Sequence, residues 1–580
     1  MHGFLVLSTA LAFSWFGQLP PHGEVERDLL TFLLFGMATL WAGWKTHVAA
    51  QGRAPVAGGA SWGRQVIAFL LVWLVLLLLI GLQWAFMPPE VWSGRQWMTM
   101  GWLLSAWAAV MAGGIQAAPD VSGMRTSQAA WRWIALGLVV AAMVNGMVAW
   151  LQVVLGAALP AWLPASQAPG RGYGALLQPN LTATLLVIGL ISLESWSDSR
   201  AGHTKRRHWF GAAVALFLGS AIAVTGSRIG LLLLLLWCAV QAWNARSIAR
   251  SVWAGWPLLG LGLVFLLAGL GFGGGEVVTA LDRGVGLSNG RTLIFSNALS
   301  MGAAFPWTGA GFNQFSFWHA ELPYQPKMMG YLTHAHNLFL QFWAEMGLAG
   351  LLWVLVAMGV LLWPLRTWRR TPVDRRPEAQ RWALGVLAVL CLHAMTELPL
   401  WSAPFLLLFA FAAGLWLVPS VATHTSVEVP VHRVGKLATI WGLLTVMAAS
   451  WVYSDYLKVS ALYAGARWPV VPSESAPQRA ASSLLFRPAA EFAAANSATV
   501  DGQTVDAYTR TLPVLWRYVT DERMYEWQLR TDAWNRDVPG FAYHAQRFRW
   551  LYPQAYETFQ ARVRAEDGHP PWTGFSPQWP

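Results

Sequence analysis

His336 and Asn337 stand ahead of the apolar run 338–350, and Gly347 and Gly350 follow the histidine at offsets of 11 and 14. A neutral imidazole accepts a proton from a hydroxyl, so a histidine where a polar segment meets an apolar run is a candidate base. Read as one helix opened by His336, at roughly 100° per residue, the run puts both glycines within about 40° of the imidazole's face. Such a smooth stripe admits close approach by another helix in a membrane. Two arginines offer complementary chemistry. Arg228 lies in Thr225-Gly226-Ser227-Arg228-Ile229-Gly230 and Arg291 in Asn289-Gly290-Arg291-Thr292. Guanidinium groups stay charged and bind phosphate bidentately. Arg228 could equally be a snorkelling anchor, and Arg291 an ordinary surface charge.

The elements that must position these residues are membrane helices. Of the 580 residues 56% are hydrophobic and 12% charged, with mean hydropathy +0.42; a soluble domain carries about 25% charge. Several runs approach or exceed the roughly 18 apolar residues that a bilayer span needs. The fold class expected is an all-α polytopic membrane protein of about thirteen transmembrane helices (twelve to fourteen). The expected limits are 3–19, 29–44, 66–87, 98–117, 133–156, 180–196, 209–226, 229–243, 253–273, 337–363, 382–398, 401–418 and 438–454. The first run lacks a basic n-region and is expected to be retained.

Basic residues orient the chain. With the N-terminus in the cytoplasm, the loops 45–64, 118–132, 197–208, 244–252, 364–381 and 419–437 lie inside and hold 19 Lys/Arg; the outer loops before residue 454 hold seven. The formal net charge of +11 belongs wholly to the membrane part, since residues 454–580 hold 13 basic and 13 acidic residues. It reflects topology, so nucleic acid is not an expected partner. Two domains follow: 1–454, transmembrane and including a large periplasmic loop at 274–335, and 455–580, a soluble periplasmic helical domain with helices over 478–485 and 510–536. Cys238 and Cys391 both fall in expected spans and read as packing residues.

On this topology Arg228, Arg291 and His336 share the outer face. Gln178-Pro179-Asn180 joins them, with Pro179 suited to a first helical turn. His393 and Glu397, one turn apart, lie near the outer end of a span, where a carboxylate needs a partner. His334 and His336 form an H-x-H pair, but positions two apart on a helix diverge by about 200°, and no Cys, His or carboxylate cluster adjoins them; no metal is expected. Two arginines and a histidine at this face suit transfer of a sugar from a lipid pyrophosphate to a hydroxyl, because the departing group needs its charge stabilised.

The chain resembles the bacterial O-antigen ligase and O-oligosaccharyltransferase superfamily. That family's motif, His-[Asn/Ser/Gln]-x9-Gly-x-x-[Gly/Thr/Tyr], is met by His336, Asn337, Gly347 and Gly350. Gln178-Pro179-Asn180, Ser227-Arg228, Arg291, His393…Glu397-Leu398-Pro399-Leu400-Trp401 and the C-terminal extension look like the protein-glycosylating branch. The resemblance implies inverting transfer, without metal or cofactor, from an undecaprenyl-pyrophosphate glycan at the periplasmic face of the bacterial inner membrane. It implies that Arg228 and Arg291 bind the pyrophosphate and that His336 activates the acceptor or holds the donor. Gln178 and Asn180 would line the cavity, with Asn337, His393 and Glu397 around it. The expected partners are membrane lipids, the lipid-linked glycan and a pilin-like or other periplasmic acceptor protein. O-antigen ligase acting on lipid A-core and O-antigen polymerase are the alternatives, separated only by the acceptor. A transporter of lipid-linked sugar would place charges at mid-membrane and show internal repeats.

Overall fold

The computed structural model describes residues 2–51, 60–87, 94–117, 130–198, 205–244, 248–269, 289–322, 330–372, 375–418, 427–463 and 476–577, apart from isolated positions within those ranges. The regular elements of the described residues are helices, apart from one antiparallel ribbon, β1 (Ala60–Trp62) with β2 (Val427–Val429). The first nine helices are α1 (His2–Ser14), α2 (Gly23–Gln51), α3 (Arg64–Phe86), α4 (Gly94–Ala117), α5 (Ala130–Leu155), α6 (Pro179–Asp198), α7 (Lys205–Thr225), α8 (Arg228–Asn244) and α9 (Ile248–Gly269). Then come α10 (Asn289–Ala304), α11 (Phe315–Glu321), α12 (Leu338–Leu362), α13 (Leu365–Arg370), α14 (Glu378–Ala394), α15 (Ala403–Leu417) and α16 (Val431–Tyr463). The C-terminal set is α17 (Ala476–Ala481), α18 (Arg487–Ser497), α19 (Val505–Tyr518), α20 (Glu522–Trp534), α21 (Val538–Leu551) and α22 (Pro553–Ala565).

A helix stands at each of the thirteen expected runs. Among the described residues four helices are long and apolar enough to cross a membrane: Arg64–Phe86, Ala130–Ala158, Leu338–Arg370 and Gly435–Tyr463. Six further apolar helices are shorter. The ribbon joins two loops, 45–64 and 419–437, that the charge count assigns to one side. Every residue of α15 is buried, as expected for a helix that is apolar all round and sits at the centre of a bundle. Gly414 of α15 meets the Val110 carbonyl, and Gly113 of α4 meets that of Phe411. α7 and α9 approach equally closely at Gly219 and Gly260. Small residues here let backbones touch, the usual device of membrane helix packing.

The motif glycine Gly347 does something else. The helix begins at Leu338 and not at His336, because Asn337 is its N-cap: the Asn337 side chain accepts from Leu340 N at 3.1 Å. His336 lies outside the helix in the left-handed region, φ 53°. Gly347 breaks the helix at φ 60°, ψ −148°, a conformation open almost only to glycine. The expected smooth stripe is therefore a kink. The backbone groups freed by the kink are taken by the segment 305–311. Ala344 O accepts from Ala310 N at 2.9 Å, Glu345 O from Gly311 N at 2.9 Å, and Leu348 N donates to Pro306 O at 2.8 Å. Gln83 of α3 stitches the join: its amide donates to Glu345 O at 2.9 Å and accepts from Phe312 N at 3.2 Å.

α16 runs unbroken through residue 454 to Tyr463. Its Asp455 carboxylate accepts from Ser483 Oγ and Leu485 N, both at 2.8 Å, and so anchors the first C-terminal turn. The expected helix over 510–536 is two helices, broken where Asp521 caps α20. Phe541, Phe548, Phe559 and Tyr525 are buried in the core of this set.

A Cβ at residue 347 would lie 2.7 Å from Pro306 O and 2.8 Å from Gly309 N. Gly347→Ala should cost on the order of 1–3 kcal/mol in strain and expose 305–311 to protease. Gly359, whose Cβ would meet nothing within 4 Å, should tolerate alanine with no loss of melting temperature. Equal melting temperatures for the two variants would refute the docked-kink description.

Candidate functional site

Buried amides of α5 set the approach to Gln178. Asn145 and Gln152, two turns apart, share a face. Asn145 Oδ1 accepts from Ala175 N at 3.0 Å and Leu176 N at 3.2 Å. Gln152 Oε1 accepts from Tyr173 N at 2.7 Å and Gly174 N at 2.9 Å. The polar backbone of 173–176 is thereby satisfied inside the bundle. Leu177 then turns at φ 57°, and Pro179 begins α6. Non-glycine residues with positive φ are uncommon, and here they immediately precede both Gln178 and Asn337.

Glu397 is the hub of the next layer. It lies just past α14 and accepts from the side-chain amides of Gln178 and Asn180. Asn180 Oδ1 in turn accepts from Ser227 Oγ at 2.7 Å. Ser227 caps the start of α8 through Gly230 N at 3.1 Å. Gly230 permits this closeness, since a Cβ there would lie 2.3 Å from that of Ala183. His393 is fully buried; its Nδ1 is 2.8 Å from Thr184 Oγ1, one turn below Asn180 on α6. Its Nε2 is 3.8 Å from Glu397 Oε2. The pair His393–Glu397 is thus joined to Gln178 and Asn180 in one network.

His336 approaches this hub from the other side. Asn337 Nδ2 donates to Met395 O at 2.9 Å, which seats the 336–337 turn on the turn that carries Glu397. Burial pushes the His336 imidazole below its ordinary 6.5; Glu397 pulls it up and Arg291 pushes it down. Arg291 is exposed on α10. Arg228 is also exposed, and connects to the cluster through its neighbour Ser227. His336 Nδ1 is buried with no hydrogen-bond partner among the described residues. Because 334–336 is not helical, the divergence expected for His334 and His336 does not arise: their rings meet edge to face with centroids 4.1 Å apart. Among the described residues no group of three or more His, Cys, Asp or Glu side chains is placed to hold a metal.

Beside Leu338 lies an apolar pocket with a cavity volume of about 90 Å³. Phe312, Met395 and Trp401 line it, together with Trp73, Trp353 and Leu361. The residues that sequence reasoning missed are Gln83, Asn145, Gln152, Thr184 and Glu345. A polar side chain in an apolar run was the available signal for four of them.

Residues 212–355 match the family model described as O-antigen ligase. Residues 381–566 match the one described as virulence factor membrane-bound polymerase, C-terminal. These matches, each to part of the chain, support a likeness to the O-antigen ligase and oligosaccharyltransferase superfamily. A general O-oligosaccharyltransferase of Acinetobacter baylyi is 25% identical over 299 residues, 49% of this chain and 50% of that protein. The match thus spans about half the length of that curated relative.

The hub makes a sharp prediction. Glu397→Gln puts an NH2 against two amide donors, so one buried donor loses its acceptor, at about 1–3 kcal/mol. Thermal unfolding of the full-length variant should show the loss. An unchanged midpoint would mean that Glu397 does not accept from both amides.

Proposed function

We propose that the protein is an O-oligosaccharyltransferase that moves a glycan from undecaprenyl pyrophosphate to Ser/Thr hydroxyls of periplasmic or pilin-like proteins. The observation that carries this reading is the seating of the His336 turn, through Asn337 on Met395 O, beside the Glu397 network and next to an apolar pocket lined by Leu338 and Met395. The glycan end of the donor sits at His336, and the polyprenyl chain enters the pocket along α12. Arg228 and Arg291 hold the pyrophosphate and stabilise its charge as it leaves. The acceptor oxygen bonds to the anomeric carbon as the bond from that carbon to the pyrophosphate oxygen breaks, on the opposite face, so configuration inverts. The hydroxyl proton passes to the neutral His336 imidazole. Glu397, held by Gln178 and Asn180 and backed by His393, fixes the wall of the cavity, and Asn337 aims the histidine turn. No step calls for a metal. In this reading the thirteen helices span the inner membrane, with the N-terminus in the cytoplasm and the site and C-terminal helices in the periplasm.

The family descriptions favour a second reading, in which the acceptor is lipid A-core or another glycan. Deleting the gene and scoring two products separates them. Loss of the pilin mass shift with an intact lipopolysaccharide ladder supports protein glycosylation, and the reverse outcome rejects it.

Two outcomes test the chemistry. Arg291→Lys keeps the charge and loses the fork, so transfer should slow by more than a surface Arg-to-Lys exchange would cause; equal kcat would end the bidentate role. The pH profile tests the base. Burial lowers the imidazole's pKa, so the neutral form dominates from below 6.5 upward. The rate should be flat through pH 7 and fall on acidification, with a midpoint under 6.5. A midpoint above it would contradict the assignment.

A further inference from the structure

We propose that the C-terminal helices serve as a clamp on α11, with Arg517 as the positioning residue that keeps the adjoining loop seated in the Gly347 kink. The effect on transfer rests on the function proposed above; the clamp itself does not. The Arg517 guanidinium lies 3.5 Å from the centroid of the Phe317 ring and 5.7 Å from that of Trp318. Its Nη1 donates to Gln314 Oε1 at 3.3 Å, and Gln314 is 1% exposed. The other end of α11 is gripped as well. Arg547 donates to Glu321 O at 2.8 Å, and Tyr543 OH donates to Glu321 Oε2 at 2.6 Å. Between these grips Ala320 is buried in the aromatic core of the C-terminal set. A helix of two turns cannot hold its own position, so these contacts decide where it sits.

What α11 holds lies next to the candidate site. Its first amide, Phe315 N, donates to the buried Glu345 carboxylate at 3.2 Å. Asn313 Nδ2 donates to Thr99 Oγ1 at 3.1 Å, and both Thr99 and Phe312 line the apolar pocket. Gly311 and Ala310 pair with the backbone of α12 where it kinks. Displacing α11 would pull on the pocket lining and on the Gly347 kink, eleven residues along from His336. A soluble domain that merely trailed the membrane part would have no such lever.

The test is amide hydrogen exchange on the full-length protein in nanodiscs, with glycan transfer measured on the same samples. Arg517→Ala should speed exchange over residues 310–321 by about tenfold, the loss of a desolvated cation–π contact. Exchange in α20 and α21 should not change. Arg517→Lys should restore part of the protection, and kcat should fall with protection while the donor KM holds. Should Arg517→Ala fail to fold, Phe317→Leu breaks the same contact from the membrane side and should give the same local loosening. Loosening in the variant without transfer by either protein would sink the proposed function and leave the clamp standing. Unchanged exchange over 310–321 in both variants would overturn the clamp whatever the activity.

Discussion

The backbone exchange at Gly347 holds the rest of this end of the molecule together. A helix in an apolar bundle cannot leave carbonyls and amides unpaired, because each would cost several kcal/mol. α12 nonetheless gives up its regular ladder at Gly347, and the segment 305–311 supplies the missing partners. One break therefore fixes the loop on the helix, sets Glu345 against the start of α11, and places Phe312 in the lining of the pocket. The C-terminal helices then hold the far side of that loop through α11. Histidine turn, pocket and C-terminal set are linked by hydrogen bonds and packing that begin at one glycine.

The polar groups around this frame divide into two kinds. Glu397, Gln178, Asn180, Ser227, His393 and Thr184 satisfy one another and form a rigid wall. Such a network stabilises only when its members are paired, and it is costly to disturb. His336 sits beside this wall through Asn337 on Met395 O, Arg228 follows Ser227 of the wall, and Arg291 stands on α10. The histidine is half-buried and the arginines are exposed. In the proposed reading that division is functional: the wall keeps its geometry while the open groups exchange donor and product. The left-handed backbone at His336 and Leu177 fits the same picture, because local strain survives only where the surroundings over-determine it.

Much of this was legible in the residues themselves. Apolar runs located the helices because a span needs a continuous apolar face, and the short polar interruptions Gln178-Pro179-Asn180, Ser227-Arg228 and His393…Glu397 marked their ends. The charge count brought those ends to one face. What stayed illegible depends on partners far apart in the chain. Gly347 reads as a small packing residue until residues 305–311 are placed against it. Gln83 and Glu345 are 262 residues apart in sequence, and nothing local couples them. His336 reads as the opening of the helix because nothing in the sequence marks Asn337 as the N-cap until its bond with Leu340 N is seen. Asp455 hides the continuity of α16 in the same way: a carboxylate looks like an exit from the membrane, and here it anchors the next helix pair.

The most direct measurement is glycan transfer by the purified full-length protein, supplied with a lipid-linked glycan and with protein and lipid A-core acceptors in parallel. The account predicts that the wild type moves the glycan to the protein hydroxyl. It also predicts that His336→Ala, with an unchanged melting temperature, moves none. Transfer by His336→Ala at the wild-type rate would contradict it.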